Sequence, residues 1–155
     1  MKQNLILIVM IVFVFSLNAA GETPNTTDEI KWLTNLEDAM SEAKVKNLPI
    51  FVDFTGSDWC GWCFKLDEEV FEKQSFIDYA KDNLIMLELD YPKSIQQTPE
   101  VKKYNNDIAK KYGIQGFPTI LLLDMNGKEI ARTGYQPGGA PNYIDHIEEL
   151  LQGKK

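Results

Sequence analysis

Apolar and polar positions along the chain fall into blocks that alternate between the period of a helix and that of a strand. Leu36, Ala39, Met40 and Ala43 recur at helical spacing and predict a helix reaching Lys46, which Asn47 and Pro49 then stop. Pro49–Phe54 (PIFVDF) is short, β-branched and aromatic, the signature of a strand, with Asp53 as its one acid. Thr55–Trp59 reads as a turn. After it Cys63, Leu66, Val70 and Phe71 form an apolar stripe opposite Asp67, Glu68 and Glu69, which predicts a helix. Ser75 is placed to cap a second helical stretch that carries Phe76, Ile77, Tyr79 and Ala80. Leu84–Asp90 (LIMLELD) is a nearly continuous apolar run and predicts a buried strand.

The second half continues the alternation. Tyr91–Asn106 is polar, contains Pro92 and Pro99, and reads as an inserted loop leading into a helix. That helix has Val101, Tyr104, Ile108, Ala109 and Tyr112 as its stripe, and Gly113 ends it. Thr119–Asp124 and Lys128–Thr133 flank Met125-Asn126-Gly127, a hairpin signal. Gly134–Pro141 reads as a loop, and Asn142 as the cap of a last helix with Tyr143, Ile144, Ile147, Leu150 and Leu151 inward. Ile30–Leu33 adds a short edge strand before the first helix. Strands joined through helices pair in parallel first, and the late hairpin adds an antiparallel edge. The expected fold is α/β, a mixed sheet with helices on both faces.

Residues 1–20 differ in kind. Met1-Lys2 is a short basic start, Leu5–Leu17 is apolar except for Ser16, and Asn18-Ala19-Ala20-Gly21 offers small residues for cleavage near Ala20. About 20 residues are needed to cross a bilayer as a helix, so the run is expected to be a secretory signal peptide, with an uncleaved N-terminal anchor as the alternative. Residues 21–29 (GETPNTTDE) read as a flexible leader, and 30–152 as one domain. The protein is therefore expected to be exported, to a periplasm in particular.

Charge narrows the partners. The formal net charge of the 155 residues is −7; without residues 1–20, which hold one Lys and no acid, 15 basic residues face 23 acidic ones. Phosphate binding needs clustered Lys and Arg, so a nucleic-acid partner is not expected. Two cysteines and one histidine are too few for a metal site, and His146 is expected on the solvent side of the last helix.

The two cysteines, Cys60 and Cys63, stand three positions apart. A bridge closing so short a loop removes little chain entropy and stabilises weakly, so the pair is better explained by chemistry than by stapling. At a strand-to-helix junction, Cys60 meets the unpaired N–H groups and positive end of the helix dipole, which favour its thiolate. Cys63, one turn in, is placed to attack Cys60 once a mixed disulfide has formed. Thiol–disulfide exchange of this kind needs neither metal nor organic cofactor.

Asp58-Trp59-Cys60-Gly61-Trp62-Cys63 resembles the W-C-G-x-C active site of thioredoxins and protein disulfide isomerases. Gly113-Ile114-Gln115-Gly116-Phe117-Pro118-Thr119 is similar to their Y-G-I-x-G-x-P-T segment, and Val52-Asp53-Phe54 to the strand bearing their buried acid. The wording of Phe54–Trp59 resembles an exported bacterial subgroup. The resemblance spans roughly residues 30–152. It implies a thioredoxin-like three-layer α/β/α sandwich, with Cys60 as nucleophile, Cys63 as resolving thiol and Asp53 as acceptor of the Cys63 proton. It further implies substrate contacts at Trp59, Gly61, Trp62, Phe117 and a cis Pro118.

Three departures accompany it. Trp62 stands where reducing members have Pro and more oxidising ones have His; the loop before the motif is one residue longer; and the Lys that pairs with the buried acid is replaced within Met86-Leu87-Glu88-Leu89-Asp90. The implied function is a monomeric thiol–disulfide oxidoreductase acting on exported proteins and recharged by a membrane electron donor. A reductase fits a single compact domain best; an isomerase, or a non-catalytic peptide-binding module with an inert disulfide, are the other readings.

Overall fold

The computed structural model describes residues 29–153 of the chain. The expected signal peptide and residues 21–28 of the expected leader lie outside the described residues. The elements follow in the order α1 (Leu36–Lys46), β1 (Ile50–Thr55), α2 (Gly61–Leu66), a π-helical turn (Asp67–Phe71), α3 (Gln74–Asn83), β2 (Ile85–Asp90), α4 (Pro99–Tyr112), β3 (Thr119–Leu123), β4 (Glu129–Thr133) and α5 (Gly139–Leu151). The four strands form one sheet in the order β2-β1-β3-β4. β1 pairs with β2 in parallel and with β3 antiparallel, and β3 pairs with β4 antiparallel across a register shift at Leu122/Leu123. The antiparallel part is therefore more than an edge, since it includes the centre.

Strand β1 is buried along its whole length, and β3 at Ile120–Leu123, which is why these two occupy the middle. Their side chains alternate between two cores. On one face Phe51, Ile120 and Leu122 meet Leu66, Val70, Phe71, Phe76, Tyr143 and Ile147 from α2, the π turn, α3 and α5. On the other, Ile50, Val52, Phe54, Leu121 and Leu123 meet Leu36, Ala39 and Ala43 of α1 and Ile108 of α4. This is the expected three-layer sandwich.

Residues 30–33 do not form a full strand. Leu33 makes a single parallel bridge to Leu87, with its N–H donating to the Met86 carbonyl at 2.9 Å and its carbonyl accepting from the Glu88 N–H at 2.8 Å. Asn47 ends α1 in the left-handed conformation (φ 55°), and Gly113 ends α4 in the same way (φ 63°).

Two helices begin earlier than the sequence pattern indicates, for one reason. The first turn of a helix has N–H groups with no intrahelical partner, so a proline there loses nothing. Pro99 opens α4 behind Thr98, whose Oγ1 accepts the Val101 N–H at 3.3 Å. The segment through Asn106 is thus loop only up to Gln97, with Thr98 as the cap. Pro141 likewise lies inside α5, which starts at Gly139 after Gly138 (φ 112°); Asn142 is within the helix and not its cap. Lys73 rather than Ser75 occupies the N-cap position of α3, and it makes no side-chain cap bond.

His146 is half-buried rather than solvent-facing: Thr133 Oγ1 of β4 lies 2.8 Å from its Nε2, and its ring meets Tyr143 at 6.2 Å. On the outer strand β4, Arg132 bonds to Glu129 and to the Tyr112 and Gly113 carbonyls that end α4.

Candidate active site

The site is built where β1 leaves the sheet. Thr55 ends the strand, and Gly56 and the residues after it turn the chain into α2, with Cys60 in the N-cap position. Cys60 and Cys63 are joined as a disulfide, and the Cys63 N–H donates to Cys60 Sγ at 3.2 Å. Both are nearly covered, at 5% and 2% exposure. A sulfur in this position receives a backbone N–H at the start of a helix, the geometry that stabilises a thiolate.

Aromatic rings surround the pair. The Trp59 indole donates from Nε1 to the Tyr91 carbonyl at 2.8 Å and meets the Phe117 ring edge-on at 5.8 Å. Tyr91 in turn packs on Phe117 at 5.0 Å, and Lys93 Nζ lies 3.8 Å over the Trp59 ring. The Phe117–Pro118 peptide is cis. Trp62 is 58% exposed and leans on Tyr135 at 5.2 Å, while Lys65 Nζ sits 5.4 Å over Trp62 and 5.2 Å over Tyr135. A Cβ on Gly61 would meet nothing within 4 Å, so the space above that residue is open.

Gly56 has a steric reason to be glycine. A Cβ there would come within 2.6 Å of the Trp59 ring at Cε2. Gly56→Ala is expected to push the indole from its seat, at a cost of about 1–3 kcal/mol. A lower urea midpoint together with red-shifted tryptophan emission would record it; an unchanged spectrum would show that the ring has room to move.

The loop before the motif is fastened by two acids that the sequence pattern alone does not assign. The Asp58 carboxylate accepts the Lys93, Ser94 and Ile95 N–H groups at 2.9, 2.5 and 3.0 Å, and these bonds hold it below the usual carboxylate range. Asp90 accepts from the Ser57 N–H at 2.9 Å and from its hydroxyl at 2.6 Å. The loop before the motif is thus tied to the end of β2 and to the segment that follows it. Turn chemistry in Gly56-Ser57-Asp58 signals that such bonds exist, but not which segment supplies the partners. Tyr135 is also legible only in three dimensions, since it lies far along the chain from the Trp62 it supports.

Asp53 shares the face of β1 that carries Phe51, which belongs to the core of Leu66, Val70 and Phe71. It is 2% exposed, and its Oδ1 has no hydrogen-bond partner among the described residues. It sits on β1, an inner strand of the sheet. Burial, and then the nearby carboxylates of Asp67, Glu88 and Asp90, push its pKa well above the ordinary value of 3.8. Asp67 begins the π turn; half-buried and close to Glu72, its carboxyl is raised to about 6. The turn inserts one residue, closing Glu72 N–H to Asp67 carbonyl at 3.0 Å, and so brings both Val70 and Phe71 inward.

Among the described residues there is no group of three or more His, Cys, Asp or Glu that could hold a metal, and no helix long and apolar enough to cross a membrane.

Comparison with known proteins agrees with this architecture. A family model described as a thioredoxin-like domain matches residues 36–146. The disulfide bond reductase DsbH of Chlamydia pneumoniae is 33% identical over 139 residues, covering 86% of this chain and 83% of that protein. The thioredoxin-related protein DsbJ of the same organism is 32% identical over 108 residues, 70% of this chain but 31% of that longer protein. A solved DsbH oxidoreductase superposes with a TM-score of 0.75 at 33% identity, over 80% of this chain and 85% of its own. A disulphide-isomerase-like protein from Bacteroides thetaiotaomicron shares the fold with a TM-score of 0.62 at 23% identity, over 83% and 98% of the two chains. With the family model spanning both cysteines, the chain belongs to the thioredoxin-like domain family, as a thiol–disulfide oxidoreductase.

Proposed function

We propose that the chain is a reductase for disulfides in exported proteins, working as a monomer in a periplasmic or equivalent compartment and recharged by a membrane dithiol donor. The observation that carries this reading is the Cys60–Cys63 disulfide at the N-terminus of α2, nearly covered yet rimmed by exposed aromatic rings. The likeness to a protein named as a disulfide bond reductase over most of both chains supports the direction of electron flow.

In the reduced enzyme the Cys60 thiolate attacks one sulfur of a substrate disulfide. The mixed disulfide forms, and the second substrate sulfur leaves as a thiolate that takes a proton from water. Cys63 then gives its proton to the Asp53 carboxylate and attacks Cys60 Sγ. The Cys60–Cys63 disulfide forms, the remaining substrate sulfur leaves as a thiolate that also takes a proton from water, and two electrons have passed to the substrate, now a dithiol. Trp59, Trp62 and Phe117 supply the apolar walls, cis Pro118 holds the substrate backbone beside the sulfurs, and the open space over Gly61 admits it.

The test is the equilibrium of the Cys60–Cys63 pair with glutathione. A potential near about −270 mV is expected for a reductase, and one near about −120 mV would overturn the reading in favour of an oxidase. The exposure of Trp62 and Phe64, at 58% and 44%, favours an isomerase as the second reading, because an isomerase needs an apolar surface for unfolded chains. Recovery of activity from scrambled ribonuclease separates the two.

A further inference from the structure

The parallel register of β1 and β2 sets Asp53 opposite Glu88, both turned to the same face of the sheet. Among the described residues, Asp53 is enclosed and unpartnered at Oδ1, whereas Glu88 is half-buried on an edge strand flanked only by the Leu33 bridge. Glu88 also lines two surface cavities. One, of about 330 Å³, includes Thr34, Asn35 and Tyr104; the other, of about 260 Å³, includes Trp32, Asp67 and Glu72.

We propose that Glu88 is a positioning residue for disulfide exchange: its hydrated carboxylate, beside Asp53, keeps the proton on the buried carboxyl. The inference rests on the reading of Asp53 as acceptor of the Cys63 proton.

Two carboxyls that share a site do not both ionise easily, and the one with access to water takes the charge first. Glu88 has that access through its two cavities, and Asp53 does not. The other titratable groups facing Asp53 are Asp67 of the π turn, Asp90 of β2 and Tyr143 of α5; those facing Glu88 are Asp90 and Asp67, with Glu72 beside Asp67, and Glu100 and Tyr104 of α4 in the larger cavity. None is a cation. Every ionised neighbour therefore opposes a charge on Asp53, and Glu88 is its direct partner across the ladder. The proton that Cys63 releases during resolution then stays on Asp53 while the disulfide persists. When the disulfide is reduced, Cys63 leaves as a thiolate and Asp53 returns that proton to it, which closes the proton balance without exchange with solvent.

The experiment follows the Asp53 carboxyl directly, by its carbon-13 shift in the oxidised full chain, titrated from about pH 4 to about pH 9. In Glu88→Gln the Asp53 midpoint is expected to fall by about one pH unit, while Glu88→Asp, which restores the charge, keeps it near the wild-type value. An unchanged midpoint in Glu88→Gln overturns the proposal, and so does an equal fall in both variants, which would mark a packing effect. If Glu88→Gln does not fold, Glu88→Lys reads the same interaction with a larger expected fall, and no fall there is equally fatal. Disulfide reduction by the wild type is measured separately. Full activity with an unmoved Asp53 midpoint would remove Glu88 alone, whereas a shifted midpoint in a protein without reductase activity would remove the function and leave the electrostatic coupling standing.

Discussion

Replacing Cys60 by serine is expected to slow reduction of a protein disulfide by roughly a thousandfold or more, because the exchange has no other nucleophile. The sequence contains two cysteines, and the second is 2% exposed behind the first. Cys63→Ala is expected to fail differently. It retains the first attack and loses the resolving one, so mixed disulfides accumulate on Cys60 and appear by mass spectrometry as covalent adducts of exported proteins. An absence of adducts in Cys63→Ala would contradict the exchange mechanism. Reduced Cys60 should also alkylate with iodoacetamide at about pH 6, well below the ordinary thiol pKa. Resistance there would favour the non-catalytic module.

Asp53 is expected to show the opposite coupling, in which removing a group raises stability and lowers activity. Its carboxyl is enclosed, one oxygen is unpartnered, and the charges around it are all negative. The folded-state pKa lies above the unfolded one. Below the ordinary value of 3.8 both states hold the proton and the residue carries no ionisation penalty. As pH rises from there, the unfolded chain ionises while the folded one does not, so the native state loses stability until the raised folded pKa is passed. Asp53→Leu is therefore expected to stabilise the protein by about 2 kcal/mol at neutral pH, with the gain shrinking toward pH 4. The resolving step should slow at the same time, because the Cys63 proton has lost its acceptor. Urea midpoints at several pH values and rapid-mixing traces of the mixed disulfide read the two effects. A destabilised Asp53→Leu with a normal resolving rate would show that the carboxyl is structural.

Much of this arrangement is legible in the sequence, because the signals are local. The strands over Ile50–Thr55 and Ile85–Asp90 are apolar runs of the right length, and Asn126-Gly127 names its own turn. The motif Cys60–Cys63 and the Gly116–Thr119 segment are each contiguous. What escapes is of two kinds. Pro99 and Pro141 are breakers in the interior of a helix and harmless in its first turn, so the same residue type marks opposite things, and α4 and α5 begin earlier than read. The other kind is pairing at a distance. Nothing near Asp58 announces the N–H groups of Lys93–Ile95, nor does Trp62 announce Tyr135. The role of Glu88 depends on a register between two strands, which no local pattern contains.

The outer edge of the sheet has a consequence for the kind of client such an enzyme meets. Among the described residues, strand β4 has no neighbour beyond it in the order β2-β1-β3-β4, and an open strand invites any unfolded chain to zip on. Here that strand is five residues long and irregular in its pairing with β3, and it bears Glu129 and Arg132, with Arg132 turned back to bond the end of α4. Under the proposed function, an exported client thus meets a reactive sulfur but finds on β4 no seam to zip onto, and can be let go.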